Sequence, residues 1–318
     1  MNSRPPPSTL QTQFDCVKNC FEQEQQNLIQ CVNQVEGNSC FVSDHWNSAL
    51  GSGISAITAD NNLIEKAFIG FSCVGGNQLP KTAAERHPEL IGKTWKAVGV
   101  STVIHPQSPW IPAAHMNVRF FQAGAFADDG DGNDNTAATN WWFGGGFDLT
   151  PCYPEPEDCR LWHQAAQDAI EPFAPGHYRT FKETCDNYFY LPHRKEMRGI
   201  GGIFFDDYNS GDFDQCLNMA RSVCSHFAKA WSSLARKYAK RSYSPNQKAF
   251  QLHRRGRYAE FNLAFDRGTR FGLQSGGRVE SILASLPPCA RWDYNYKPAE
   301  GSPEAALDDF LQPREWLQ

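Results

Sequence analysis

The chain has 318 residues, 41% of them apolar and 13% aromatic, with a formal net charge of −5. No stretch approaches the ~20 consecutive apolar residues that cross a bilayer. No linker-like shift in composition follows residue 40, which favours one large domain over 12–318 behind a disordered tail at 1–11. The N-terminal MNSRPPPSTLQTQ carries neither the apolar segment of a secretory signal nor the Arg-rich pattern of a transit peptide. None of the eleven cysteines forms a CxxC pair, so reduced thiols in a cytoplasmic protein are expected rather than a disulfide framework.

Residues 12–36 space Phe14, Val17, Phe21, Leu28, Val32 and Val35 among Gln and Asn, which predicts an amphipathic helix. Residues 41–75 hold Trp46, Gly51-Ser52-Gly53 and short apolar runs such as Ala67-Phe68-Ile69, a pattern of hairpin strands. The β-branched run Lys96–His105 predicts a strand with Ser101, Val103 and His105 on one face. Prolines at 106, 109 and 112 follow. A second strand over 115–121 then sets His115, Asn117 and Arg119 on one parity. A single histidine is more often a satisfied core residue. An imidazole, an amide and a guanidinium side by side on an apolar strand point instead to a site.

The acidic, glycine-rich residues 125–135 begin like a calcium loop, but Asn140 stands where the closing Glu belongs, so a flexible loop is expected. In Trp141 to Phe147 aromatics flank three glycines. Either bare backbone lets a flat ligand approach, or a core strand ends in a bulge. Helices are predicted over 156–172, carrying His163, and over 176–190. A charged turn from His193 to Arg198 leads into an apolar strand that ends at Asp206 and Asp207. The glycines before that strand are not a phosphate loop, since neither GxGxxG nor a following Lys-Ser/Thr is present. The two aspartates serve either catalysis or the cap of a helix at 212–240. Ser302-Pro303 starts a last short helix.

From Arg241 to Arg291 nine Lys/Arg face three Asp/Glu, a local +6. These arginines are spread among Gly, Phe and Leu, which favours separately placed contacts to a small polyanion over a nucleic-acid patch. Tyr258, Glu260, Asn262 and Asp266 share one parity, and Phe261, Leu263 and Phe265 the other. That alternation predicts a strand with an acidic face, followed by turns at Gly268 and Gly272. Gly276-Gly277-Arg278 ahead of a helical pattern at 279–286 predicts an anion-binding turn.

Four motifs resemble the oxygen-dependent coproporphyrinogen III oxidases: HMNVRFF (115–121), WWFGGGFDLTP (141–151), DNYFYLPHRKEMRGIGGIFFDD (186–207) and the stretch from Arg254 to Pro288. The resemblance runs from about residue 40 to the C-terminus. It implies a single α+β domain whose large antiparallel sheet is flanked by helices on both faces, and a homodimer through the segment 258–293. The implied reaction converts two propionates of coproporphyrinogen III to vinyl groups, giving protoporphyrinogen IX, CO₂ and H₂O₂, with O₂ as co-substrate. Matched by motif, Ser101, Asn117, Val118, Arg119, Gly276, Gly277 and Arg278 would bind substrate, and His115 would donate a proton. His105, His115, His163 and His193 match positions assigned to a divalent metal in some members. The residues themselves add Asp266 as a buried carboxylate able to bind pyrrole N–H groups and take a proton.

Two departures stand out. The family usually has an Arg and four glycines after Trp46, whereas this chain reads NSALGSGIS, and the acidic loop 125–139 is longer than usual. No flavin, haem or nicotinamide motif is present, so no redox cofactor is expected. Two rival readings are a metal-dependent oxygenase built on the four histidines, which lacks a carboxylate at facial-triad spacing, and a non-catalytic tetrapyrrole carrier. The carrier would need neither His115 nor Asp266.

Overall fold

The computed structural model describes residues 10–79, 86–124, 140–274 and 277–317. Residues 1–9, the whole of the acidic loop's expected span at 125–139, and Gly276 lie outside it. The first helix, α1 (Leu10–Glu36), begins within the stretch assigned to the tail. Seven strands then form one antiparallel sheet: β1 (Val42–Ser48), β2 (Gly51–Ala59), β3 (Ile64–Gly76), β4 (Trp95–Pro106), β5 (Ala113–Ala123), β6 (Asn140–Thr150) and β9 (Gly201–Tyr208), in that order. A two-residue ribbon, β7 (Tyr190–Leu191) with β8 (Glu196–Met197), stands apart.

The helices are α2 (Pro156–Ile170), α3 (Tyr178–Tyr188), α4 (Phe213–Tyr238), α5 (Pro245–Ala264), α6 (Arg267–Gln274), α7 (Val279–Leu283) and α8 (Pro303–Phe310). None among the described residues is long and apolar enough to cross a membrane.

Alternation along the strands gives the sheet two different faces. Val98, Val100 and Ile104 of β4, Met116, Val118 and Phe120 of β5, Phe143 and Phe147 of β6, and Ile203 and Phe205 of β9 point to one side. There they join α1, α2 and α4 in a continuous apolar core. The other side carries Ser101, His115, Asn117, Arg119, Asp148 and Asp206, and α5 to α7 cover it. The expected α+β domain with helices on both faces is what the chain forms.

The strand expected over 258–266 is instead the end of α5. Residues four apart share a face of a helix as well as of a strand, so Tyr258, Asn262 and Asp266 fit both periods. The earlier residues decide it. Ser244 and Gln247 form a complete capping box with Pro245 in the first turn. From Phe250 to Leu263 the positions that are not buried are Leu252, Arg257, Glu260 and Leu263, a helical spacing. Leu263, assigned to the core face of a strand, is exposed.

Gly268 and Gly272 lie inside α6 and do not make turns. A Cβ on Gly272 would stand 2.8 Å from Ile282 Cδ1, so the glycine lets α7 pack close. The helix at 279–286 is shorter than expected, only five residues. Asp206 and Asp207 do not cap α4 either; Asp212 does, its side chain accepting from Gln215 N at 3.0 Å.

Candidate active site

A cavity of ≈ 520 Å³ lies between the polar face of the sheet and the α6–α7 segment. Its floor is built cross-strand. His115 and Asp148 are direct partners in the β5–β6 register, and His115 Nδ1 lies 2.8 Å from Asp148 Oδ1. Both Asp148 oxygens also accept from Arg198 Nη2 at 2.8 Å. Burial alone would raise the Asp148 pKa, but the Arg198 charge and the His115 contact outweigh it and hold the carboxyl below its usual range. An ionised carboxylate only accepts, so His115 Nδ1 carries the proton and Nε2 is left beside Asn117, 3.4 Å from its Nδ2.

Arg198 is itself enclosed. Its guanidinium lies 4.2, 4.4 and 4.8 Å from the Phe189, Tyr258 and Phe261 rings, and Nη1 donates to Asn262 Oδ1 at 2.9 Å.

The next group along β5 is cationic. Arg119 Nη2 donates to Asp206 Oδ1 at 2.5 Å, and Oδ2 of the same carboxylate meets Arg86 Nη1 at 2.6 Å and Arg267 Nη2 at 3.2 Å. Three guanidiniums from three parts of the chain converge on one acid. Burial opposes the charge on Asp206, yet the Arg119 and Arg86 charges bring its pKa down to about 2. Arg119 lies across β6 at Gly144, where a Cβ would come within 2.8 Å of its Nε. The glycine run thus makes room for a guanidinium. The β6–β9 register also slips between Phe143 and Gly145, a bulge inside a strand that continues to Thr150 and does not end there.

Asp266 lines the cavity from the junction of α5 and α6. Oδ1 accepts from Tyr188 OH at 2.8 Å, and Oδ2 accepts from Thr269 N and Oγ1, both at 2.7 Å. The carboxylate therefore caps α6, a bond typical of helix starts. Burial pushes its pKa up, but the Thr269 and Tyr188 bonds prevail and hold it below the usual carboxylate range. At the rim, Arg278 Nη2 donates to Asp44 Oδ2 at 2.5 Å.

Ser101, Asn117, Arg119, Gly277 and Arg278 all line the cavity, and Ser101 pairs with Asn117 across β4–β5. Val118 does so only through its backbone, since its side chain joins the core on the far face. The four histidines do not converge. His105 is buried with Nε2 3.0 Å from Ser285 O, and burial, reinforced by the Arg255 charge, takes its pKa down to about 3. His163 is buried elsewhere, with Nδ1 2.9 Å from Tyr178 OH and Nε2 3.0 Å from Ile200 O. His193 sits 2.7 Å from Glu260. Among the described residues no group of three or more His, Cys, Asp or Glu is placed to hold a metal ion. These histidines do not fit a shared ion.

Sequence reasoning did not single out Asp148, Arg198, Arg267, Tyr188, Arg86 or Asp44. For Asp148 a signal exists, since it shares parity with Gly144 and Gly146 opposite the buried Phe143 and Phe147. Arg267 directly follows Asp266 in the chain, and the others are joined to the site only by long-range contacts.

A closed imidazole–carboxylate pair beside several separately anchored arginines defines an enzyme site for a small polyanion. The chain belongs to the coproporphyrinogen III oxidase family, whose model matches residues 16–316. It is accordingly an oxidoreductase of haem biosynthesis that oxidatively decarboxylates coproporphyrinogen III.

Proposed function

We propose that O₂ is the direct oxidant and that the cavity needs no redox cofactor. Per propionate the balance is R–CH₂–CH₂–COO⁻ + O₂ + H⁺ → R–CH=CH₂ + CO₂ + H₂O₂. The substituent loses two electrons to O₂, the C–COO⁻ bond breaks, and one proton is consumed. His115, protonated on both ring nitrogens before the step, supplies that proton from Nε2 and keeps the one on Nδ1 that Asp148 holds. This is the observation that carries the reading: a partly exposed imidazole facing the cavity with its other nitrogen committed to a buried, ionised carboxylate.

Asp266 accepts pyrrole N–H groups through the lone pair that Tyr188 leaves open, and stays ionised while doing so. Its lowered pKa supports an acceptor more than a proton reservoir. Arg119, Arg267 and Arg278 hold the substrate's carboxylates, with Ser101, Asn117 and the backbone at Val118 and Gly276–Gly277 completing the contact surface. The ring is electron-rich enough to react with O₂ once its N–H groups are engaged.

The protein acts as a homodimer through the segment 258–293, in the cytoplasm. Exposed Leu263, Leu273, Val279 and Trp292 fall in that segment and support the dimer. Eleven unbridged cysteines suit a reducing compartment.

The test is turnover of coproporphyrinogen III after exhaustive chelation, in air and under argon. The expected result is undiminished turnover in air, one H₂O₂ per CO₂, and none under argon. Activity that disappears with chelation and returns with one specific ion makes the enzyme metal-dependent. Sedimentation equilibrium of the wild type and of Trp292→Glu tests the dimer, with the variant expected to shift toward monomer.

A further inference from the structure

The protein's own carboxylates stand on the cavity's arginines, and they are held unequally. Asp206 has 14% of its side chain exposed and is gripped by Arg86, Arg119 and Arg267. Asp44 is 45% exposed and bonds to Arg278 through Nη2 alone. Among the described residues its side chain has no other hydrogen bond or ion pair. It projects from β1, the edge strand of the sheet, and does not itself line the cavity. Arg278 does line it. The guanidinium therefore stands between an outer carboxylate that belongs to the protein and an inner space that takes carboxylates from the ligand.

The backbone around Arg278 is held without Asp44. Ser281, three residues on, is bonded to Ser55 on β2, Oγ to Oγ at 2.8 Å, and Gly277 N donates to Gly272 O at 2.9 Å. Glu280 is a weak second acid, with Oε2 3.8 Å from Arg278 Nε and mostly in solvent. Asp44 is thus free to let go without dismantling the rim.

We propose that Asp44 is an internal competitor for Arg278, paired with it in the free enzyme and displaced by a carboxylate of the bound substrate. This rests on the reading of the cavity given above. The anion-binding strength of the rim is then a difference between two carboxylates, one tethered and one delivered, and Asp44 limits how tightly polyanions are held. Product keeps fewer carboxylates than substrate, so Asp44 returns to Arg278 more readily against product and favours its release.

The experiment compares KM for coproporphyrinogen III in Asp44→Asn, Asp44→Glu, Arg278→Ala and the double variant Asp44→Asn/Arg278→Ala. Melting temperatures serve as the folding control. Asp44→Asn is expected to lower KM roughly two- to fivefold, the range commanded by a partly exposed ion pair. Asp44→Glu, which keeps the charge, is expected to stay near the wild type. The Asn effect should vanish in the Arg278→Ala background, because no guanidinium remains to compete for. If Asp44→Asn leaves KM unchanged or raises it while Arg278→Ala raises KM, Asp44 is a tether between β1 and α7, and the competitor idea is wrong. An Asp44→Glu variant that behaves like Asp44→Asn has the same consequence. If Arg278→Ala leaves KM unchanged, the anion-binding reading of the rim falls, and this proposal with it.

Discussion

Asp148–Arg198 on the cavity floor and Asp44–Arg278 at its rim are the same chemical pair in two settings. The floor pair is 2% exposed on both sides, uses both carboxylate oxygens, and is boxed in by Phe189, Tyr258 and Phe261. The rim pair has 30% and 45% of its side chains in solvent and a single hydrogen bond. A buried pair repays its desolvation only when every partner stays in place, so it acts as a fixed part of the geometry. An exposed pair is weak enough to exchange. The first kind orients His115; the second is the kind that the exchange proposed at Arg278 requires.

The comparison breaks most visibly at His115. His115→Ala should reduce kcat by roughly 10²- to 10⁴-fold, with a melting temperature close to the wild type, since Asp148 keeps both its bonds from Arg198 when the imidazole is removed. A variant with near-normal kcat removes the proton donor from the floor.

Next in size is Arg198→Met, which leaves the buried Asp148 without its guanidinium and held by His115 alone. Denaturant unfolding should show a loss of about 3–5 kcal/mol. Arg198→Met combined with Asp148→Asn should recover part of it. A loss below about 1 kcal/mol would mean that water reaches the floor and that the two pairs do not differ in kind.

Asp206 is the intermediate case, and acid titration ranks it. Its folded pKa of about 2 lies below the ordinary 3.8. A depressed carboxylate contributes stability above its unfolded pKa and loses it as pH falls through the folded one. Between pH 4 and pH 2 the wild type should lose about 2 kcal/mol more than Asp206→Asn. Equal acid sensitivity of the two proteins would show that the three guanidiniums do not act on Asp206 together.

The smallest effect on stability belongs to Asp266→Asn. Asn still caps a helix, so the cost should be about 1 kcal/mol or less. Turnover per folded molecule should nevertheless fall at least tenfold if the charge accepts pyrrole N–H groups. Unchanged turnover would leave Asp266 with the cap of α6 and nothing more.

Strands β4 and β5 were legible because each has one face in the core and one in the cavity, and alternation records that directly. His115, Asn117 and Arg119 were legible for the same reason. The strand expected at 258–266 failed because four-residue spacing is common to both periods, and the deciding capping box lies well upstream at Ser244. The partners of the site residues were hidden for another reason. Asp148 is 33 positions from His115, Arg198 is 50 from Asp148, and Asp44 is 234 from Arg278. Such contacts are set by sheet register and helix docking, not by local pattern. His163 and His193 looked alike in sequence, yet one is sealed beside Tyr178 and the other stands at the surface against Glu260.

Gly144 places charge by omission. Arg119 can lie across β6 because one methyl group is missing there, and any side chain in its place would displace the guanidinium from its position against Asp206. A substitution as mild as Gly144→Ala would alter no charge and no hydrogen-bonding group, yet it would relocate a positive charge. The shape of a missing atom thus belongs to the electrostatic design of the pocket, and a comparison of charged residues alone would overlook it.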